Sequence, residues 1–158
     1  MFDHLTGGRS QRDKWAALDR SLATIEFALD GTILDANANF LAVMGYTLGE
    51  IRGRPHSLFV DPVERDSDAY RQFWDKLRAG TFQNAEYKRI GKGGREVWIQ
   101  ASYVPVLDRA GKPTTIVKIA TDITAQKLRA LDLDGQIAAL HRSQAVIAFA
   151  LDGTVQSA

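Results

Sequence analysis

Ile25-Glu26-Phe27-Ala28-Leu29-Asp30-Gly31-Thr32-Ile33 returns 122 positions later as Ile147-Ala148-Phe149-Ala150-Leu151-Asp152-Gly153-Thr154-Val155. Aligned over 14–33 and 136–155, 13 of 20 positions are identical, including the lead-ins Ala16-Ala17-Leu18 and Ala138-Ala139-Leu140. Self-similarity at a long fixed period marks one structural unit used twice. The second copy stops after its first strand, so the sequence predicts one whole module followed by the opening of another. Within the first copy, residues 24–29 alternate as a strand does. Asp30-Gly31 predicts a two-residue hairpin with positive φ at both central positions, and 32–36 returns as the second strand.

Outward from that hairpin, Trp15, Leu18 and Leu22 fall at helical spacing over 11–22, with Ser10 and Asp13 as a capping-box start. Residues 1–10, with Gly7-Gly8, read as a loose arm. Downstream, Asn37 is placed to cap a short helix carrying Phe40, Leu41 and Met44, and Gly45 ends it in the left-handed conformation. Thr47 starts another turn that Gly53 closes. Residues 55–62 read as irregular. A longer helix over 66–79 follows, carrying Tyr70, Phe73, Trp74 and Leu77 on one side.

Strands over 82–90, 95–107 and 114–123 complete a five-stranded antiparallel sheet, an α+β domain. A helix from Thr124, interrupted near Gly135, joins the copies. The expected boundaries are a flexible arm at 1–10, a flanking helix at 11–22, the sheet domain at 23–124, a connecting helix at 125–143 and a truncated second domain at 144–158.

Composition narrows the function. The chain is 45% hydrophobic, which suffices for a core, and its 20 basic residues are scattered among 19 acidic ones for a net charge of +1. That balance argues against nucleic acid as a partner. The absence of cysteine excludes disulfides, thiolate metal sites and cysteine adducts. No apolar run approaches the ~18 residues of a membrane span, and 1–10 lacks a signal-peptide core, so a cytoplasmic module is expected. Nothing points to an enzyme: there are no paired carboxylates at an evident site and no nucleophile–base motif. Gly91-Lys92-Gly93-Gly94 lies between strands rather than ahead of a helix, which disfavours phosphate binding.

Particular wording carries a resemblance: Asp30-Gly31-Thr32-Ile33, Met44-Gly45-Tyr46, Gly53-Arg54-Pro55-His56, Phe73-Trp74, Val97-Trp98-Ile99, Tyr103-Val104-Pro105-Val106 and Thr121-Asp122-Ile123-Thr124. With the order strand-strand, short helices, long helix and three strands, the chain resembles a PAS domain over about residues 14–158. It is similar to the tandem PAS modules of soluble methyl-accepting chemotaxis-type transducers, including biofilm-dispersion regulators, and more loosely to the flavin PAS domain of aerotaxis receptors. The resemblance implies a sheet cupped around a small pocket and a sensory function for redox, oxygen or a small ligand. It also implies a homodimer, and a downstream PAS and methyl-accepting signalling domain reached through the connecting helix. The alternative is a cofactor-free dimerisation or interaction module.

The same resemblance places a cofactor between the sheet and the helices over 37–79, with FAD or haem possible, or none. His56 is the one histidine placed to be an axial haem ligand, and hence a metal ligand only if haem is bound; otherwise it is a structural hydrogen-bonding residue. Trp74 stands where related sensors associate a tryptophan with flavin, or it is a core residue. Arg89 stands where flavin-binding relatives often carry an amide; it would hold a carboxylate, propionate or phosphate, or salt-bridge to Glu86 or Glu96. Val104 replaces the Asn that close relatives carry before the Pro, and Val60-Asp61 replaces a basic pair of the aerotaxis flavin domain. On the strand after the glycine turn, period alone leaves open which face lines the pocket. Trp98 is expected on the outer face.

Overall fold

Side chains on a strand alternate between two faces, so the phase of the apolar residues decides which face packs inward. The computed structural model describes residues 3–152, with side chains over 8–142. In chain order the elements are α1 (Asp3–Ser21), β1 (Ala23–Ala28), β2 (Ile33–Ala36), α2 (Ala38–Met44), α3 (Leu48–Ile51), a 3-10 turn (His56–Phe59), α4 (Pro62–Arg65), α5 (Asp68–Arg78), β3 (Gln83–Ile90), a second 3-10 turn (Lys92–Gly94), β4 (Glu96–Leu107), β5 (Pro113–Asp122) and α6 (Thr124–Asp152). The five strands form one antiparallel sheet in the order β2-β1-β5-β4-β3, the expected α+β arrangement, with β5 at its centre. The chain divides after Ile123 into the sheet unit and the unit containing α6.

Local chemistry explains the lid over the sheet. The Asn37 carboxamide accepts from the Phe40 N–H and so caps α2, and Gly45 at φ 77° ends it. The same Asn37 donates to the Asp19 and Leu22 carbonyls, which ties the end of α1 to the start of the lid. Ser67 caps α5 by accepting from the Tyr70 N–H. The first hairpin differs from the expected two-residue form. Gly31 N–H donates to the Ala28 carbonyl, Ala28 N–H donates to the Thr32 carbonyl, and among the described residues no residue other than glycine has positive φ. The connection is therefore a three-residue loop, Leu29-Asp30-Gly31, in which only Gly31 is left-handed, at φ 90°.

Other expectations also need correcting. α1 begins at Asp3, so the stretch read as a loose arm is helical from that point and Ser10 lies inside the helix rather than at its start. Part of the stretch read as irregular, 55–62, winds into the 3-10 turn and the start of α4, where Asp61 accepts from the Val63 N–H and Pro62 sits at the first helical position. α6 runs through Gly135 without a break, because an exposed glycine in a helix costs only ~1 kcal/mol. Its backbone stays helical to Asp152, across most of the repeat's expected strand; Gly153 to Val155 lie outside the described residues.

The inner face of the sheet carries Ile25 and Phe27 from β1, Ile116 from β5, and Val97, Ile99, Ala101 and Tyr103 from β4, all buried. Trp98 has the opposite phase and lies on the outer face, as expected. Against the inner face pack Phe40, Met44, Ile51, Phe59, Trp74 and Leu77 from the lid. Each fully buried large apolar side chain stabilises the fold by ~1.5–3 kcal/mol.

Candidate functional site

The cup between sheet and lid is not purely apolar. His56, Arg89 and Lys118 are each at most 1% exposed, and they are its buried polar residues among those described. A buried polar group is costly unless it is hydrogen-bonded, and a buried charge more so. Three elements bring these residues together. The 3-10 turn after Pro55 turns His56 inward, and its backbone N–H donates to the Gly31 carbonyl at 2.8 Å. The pairing Arg89–Val97 puts Arg89 on the inner face of β3, and Tyr103–Lys118 are opposite one another on β4 and β5.

Tyr103 is the hub. Its hydroxyl lies 3.0 Å from His56 Nε2 and 3.3 Å from Arg89 Nη2, while His56 Nδ1 lies 2.7 Å from the Tyr70 hydroxyl. A guanidinium only donates. The assignment that gives every group a partner has Arg89 donating to the Tyr103 oxygen, Tyr103 donating to Nε2, and Nδ1–H donating to Tyr70. Arg89 Nη1 reaches the Glu64 carboxylate at 3.1 Å. The pairing with Glu86 or Glu96 does not form, because both have the phase of the outer face, where Glu96 meets Lys88 at 3.6 Å. Lys118 Nζ sits 4.9 Å from the Tyr103 ring centre and 5.3 Å from that of Phe40.

Burial and neighbouring charge shape the titrations. Burial first, then the Arg89 and Lys118 charges, hold the His56 imidazole well below its usual basicity, so it is neutral at pH 7. Burial also lowers Lys118, with Arg89 adding to the effect and Tyr103 opposing it. At Tyr103 burial raises the phenol, but Arg89 and Lys118 outweigh it and the net direction is down. Burial pushes Tyr70 up to about 12.

Trp74, 6% exposed, meets Phe27 and His56 edge to face at 5.8 and 5.2 Å. Outside it, a cleft of about 410 Å³ is lined by His56, Tyr70 and Trp74, with Arg65, Arg71 and Asp30 among its walls. The structure thus brings His56, Trp74 and Arg89 around one cup. Both imidazole nitrogens are held by phenol groups, and rings of the lid and sheet pack against Trp74. In this arrangement the residues do not offer haem or FAD a ready-made place.

The sequence places Tyr70 on the apolar side of a helix and Tyr103 in a strand without giving either a role in the site, and it does not single out Glu64 or Lys118. Lys118 had a legible signal, since it holds the apolar phase between Ile116 and Ala120. Glu64 had none.

A family model described as PAS fold matches residues 19–128. Over 143 residues the chain is 45% identical to the biofilm dispersion protein BdlA of Pseudomonas aeruginosa, which covers 90% of this chain and 34% of that protein. It is 32% identical over 104 residues to the aerotaxis receptor of Escherichia coli, covering 66% of this chain and 20% of the receptor. The chain therefore spans about a third or less of the length of these relatives. In fold it is similar to the PAS domain of a protein from Colwellia psychrerythraea, with a TM-score of 0.64 at 21% identity over 73% of this chain and 98% of that one. With this sheet order, this lid and a family match that spans most of the described residues, the chain belongs to the PAS family.

Proposed function

We propose that this chain is the sensory module of a chemotaxis-type transducer. The state of its cup biases α6, and through it a downstream PAS and methyl-accepting signalling domain in a longer protein. The observation that carries this reading is the buried hub Arg89–Tyr103–His56–Tyr70. A sheet that served only as scaffold would hold apolar side chains there, at lower cost. The relatives named for biofilm dispersion and aerotaxis support the same reading. The role is signalling rather than catalysis, in a cytoplasmic setting. Among the described residues no helix is long and apolar enough to cross a membrane.

His56, Trp74 and Arg89 are the proposed contacts for whatever the cup senses. In the full-length transducer, Arg89→Met or His56→Ala should lock output in one state whatever the stimulus; normal stimulus-dependent signalling in both variants would overturn the reading. An absorbance spectrum of freshly purified protein tests the coloured cofactors. A flavin spectrum that Trp74→Ala reduces would place FAD against Trp74. A Soret band that His56→Ala abolishes would make His56 the haem ligand. Protein absorbance alone removes both.

The second reading, a cofactor-free homodimerisation module, is favoured by Trp15 and Leu18 on α1, which are 58% and 48% exposed. Light scattering on Trp15→Ser/Leu18→Ser decides it: a dimer that becomes monomeric supports an interface through α1, and an unchanged mass removes it.

A further inference from the structure

Hydrogen bonds and charges in the cup do not balance. Among the described residues, two buried side-chain polar atoms lack a hydrogen-bond partner, Arg89 Nε and Lys118 Nζ. Both are donors on cations, and both cations lie against Tyr103. The carboxylate that reaches this group is Glu64, bound to Arg89 with its side chain 42% exposed. Two cations thus share one half-exposed anion, and two donors lack an acceptor. A buried donor left without an acceptor is costly, and more so on a charged group.

The sheet register sets small residues beside the orphans. Next to Tyr103–Lys118, two residues along on the same face, Ala101 pairs with Ala120, and the row continues to Ala23 on one side and Ala85 on the other. Ala23, Ala101 and Ala120 are buried and Ala85 is exposed at the sheet edge, so three small side chains line the inner face beside Lys118. A row of small residues alone is ordinary packing. Here it adjoins the two buried donors without partners.

We propose that the cup binds a small organic carboxylate whose oxygens accept from Lys118 Nζ and Arg89 Nε. A carboxylate brings one negative charge and several lone pairs, which matches a deficit of one charge and two acceptors. Phosphate brings more charge than the deficit and more bulk. The proposal rests on the sensory reading and names the class of ligand for the same cup. Entry runs through the cleft, whose inner wall includes His56; one imidazole nitrogen faces Tyr70 at the cleft and the other faces Tyr103. Lys118 lies on the central strand, whose chain continues directly into α6 at Thr124.

The test is thermal unfolding of the whole chain in sodium acetate, pyruvate or succinate against sodium chloride and sodium phosphate at matched ionic strength. At a hundredfold excess over Kd, at least one carboxylate should raise Tm by about 5–10 °C, while phosphate matches chloride. Lys118→Met should abolish the carboxylate shift and raise the ligand-free Tm, because the orphaned amine is gone. If Lys118→Met does not fold, NMR of the lysine ε-methylene groups in the wild-type chain takes its place, and one buried lysine should move on titration. A wild-type Tm equal in all salts, a shift retained by Lys118→Met, or static lysine resonances would each overturn the carboxylate. Loss of carboxylate binding with signalling still abolished by Arg89→Met leaves the sensory reading standing and removes only this ligand class.

Discussion

The two copies of the repeat have different fates in one chain. In the first, Ala23–Ala28 is a strand, whereas the equivalent backbone of the second, through Asp152, is helical. Their sequences match at most positions, so local propensity does not separate them. Their partners do. β1 bonds to β2 on one side and β5 on the other, and the loop that follows it is held by the His56 N–H on the Gly31 carbonyl. Among the described residues the second copy has no neighbouring strands, and a lone strand leaves its backbone groups unpaired. A helix satisfies them within the segment.

The largest expected change comes from supplying those partners. Appending a copy of residues 34–124 after Val155 should turn 145–150, the equivalent of β1, into a strand, seen as amide exchange protection in a β pattern; a segment that stays helical in that tandem would falsify the partner explanation. Next, Phe27→Ala should destabilise the sheet unit by ~3–5 kcal/mol in denaturant unfolding, because Phe27 is fully buried. The matching Phe149→Ala should move that transition by under ~0.5 kcal/mol. Equal losses would mean that the second copy already belongs to the same cooperative unit.

Gly31→Ala should cost about 1–2 kcal/mol, since φ 90° is unfavourable for a residue with a Cβ. An unchanged midpoint would mean that the loop adopts another form. A pH effect of similar size follows from His56, whose basicity is depressed in the folded state. Below about pH 6.5 the unfolded chain takes up the proton first, so stability present at neutral pH falls with acidification, by up to ~1.4 kcal/mol per pH unit. His56→Gln should flatten that slope in urea midpoints between pH 7 and 5, and a slope kept by the variant would assign it elsewhere. The smallest effect is on α6, where Gly135 has open space around its Cβ position. Gly135→Ala should add helicity worth ~1 kcal/mol by circular dichroism, while leaving the sheet unit untouched.

Much of the lid was legible because capping is short-range chemistry. Asn37 and Gly45 act within a few residues of themselves, whereas the Ser67 cap of α5 was not read, and the alternation around Tyr103 marked a face without naming its side. The helical start of α1 and the turn at His56 were less legible, since neither has a distinctive period. His56, Trp74 and Arg89 were found as candidates. Their neighbours Tyr70, Glu64 and Lys118 were not, since they converge from α5, α4 and β5, which are distant in sequence.

By itself the sequence determined the repeat, the five strands, most caps and the absence of thiol chemistry, all of which depend on residue type and short spacing. Tertiary structure alone decided which face of β4 is inside, that Arg89 pairs with Glu64, that Lys118 is buried without an acceptor, and that one copy of a repeated stretch is a strand while the other is helical. Those outcomes depend on which segments meet, and a strand or a buried charge is defined by the partner that meets it.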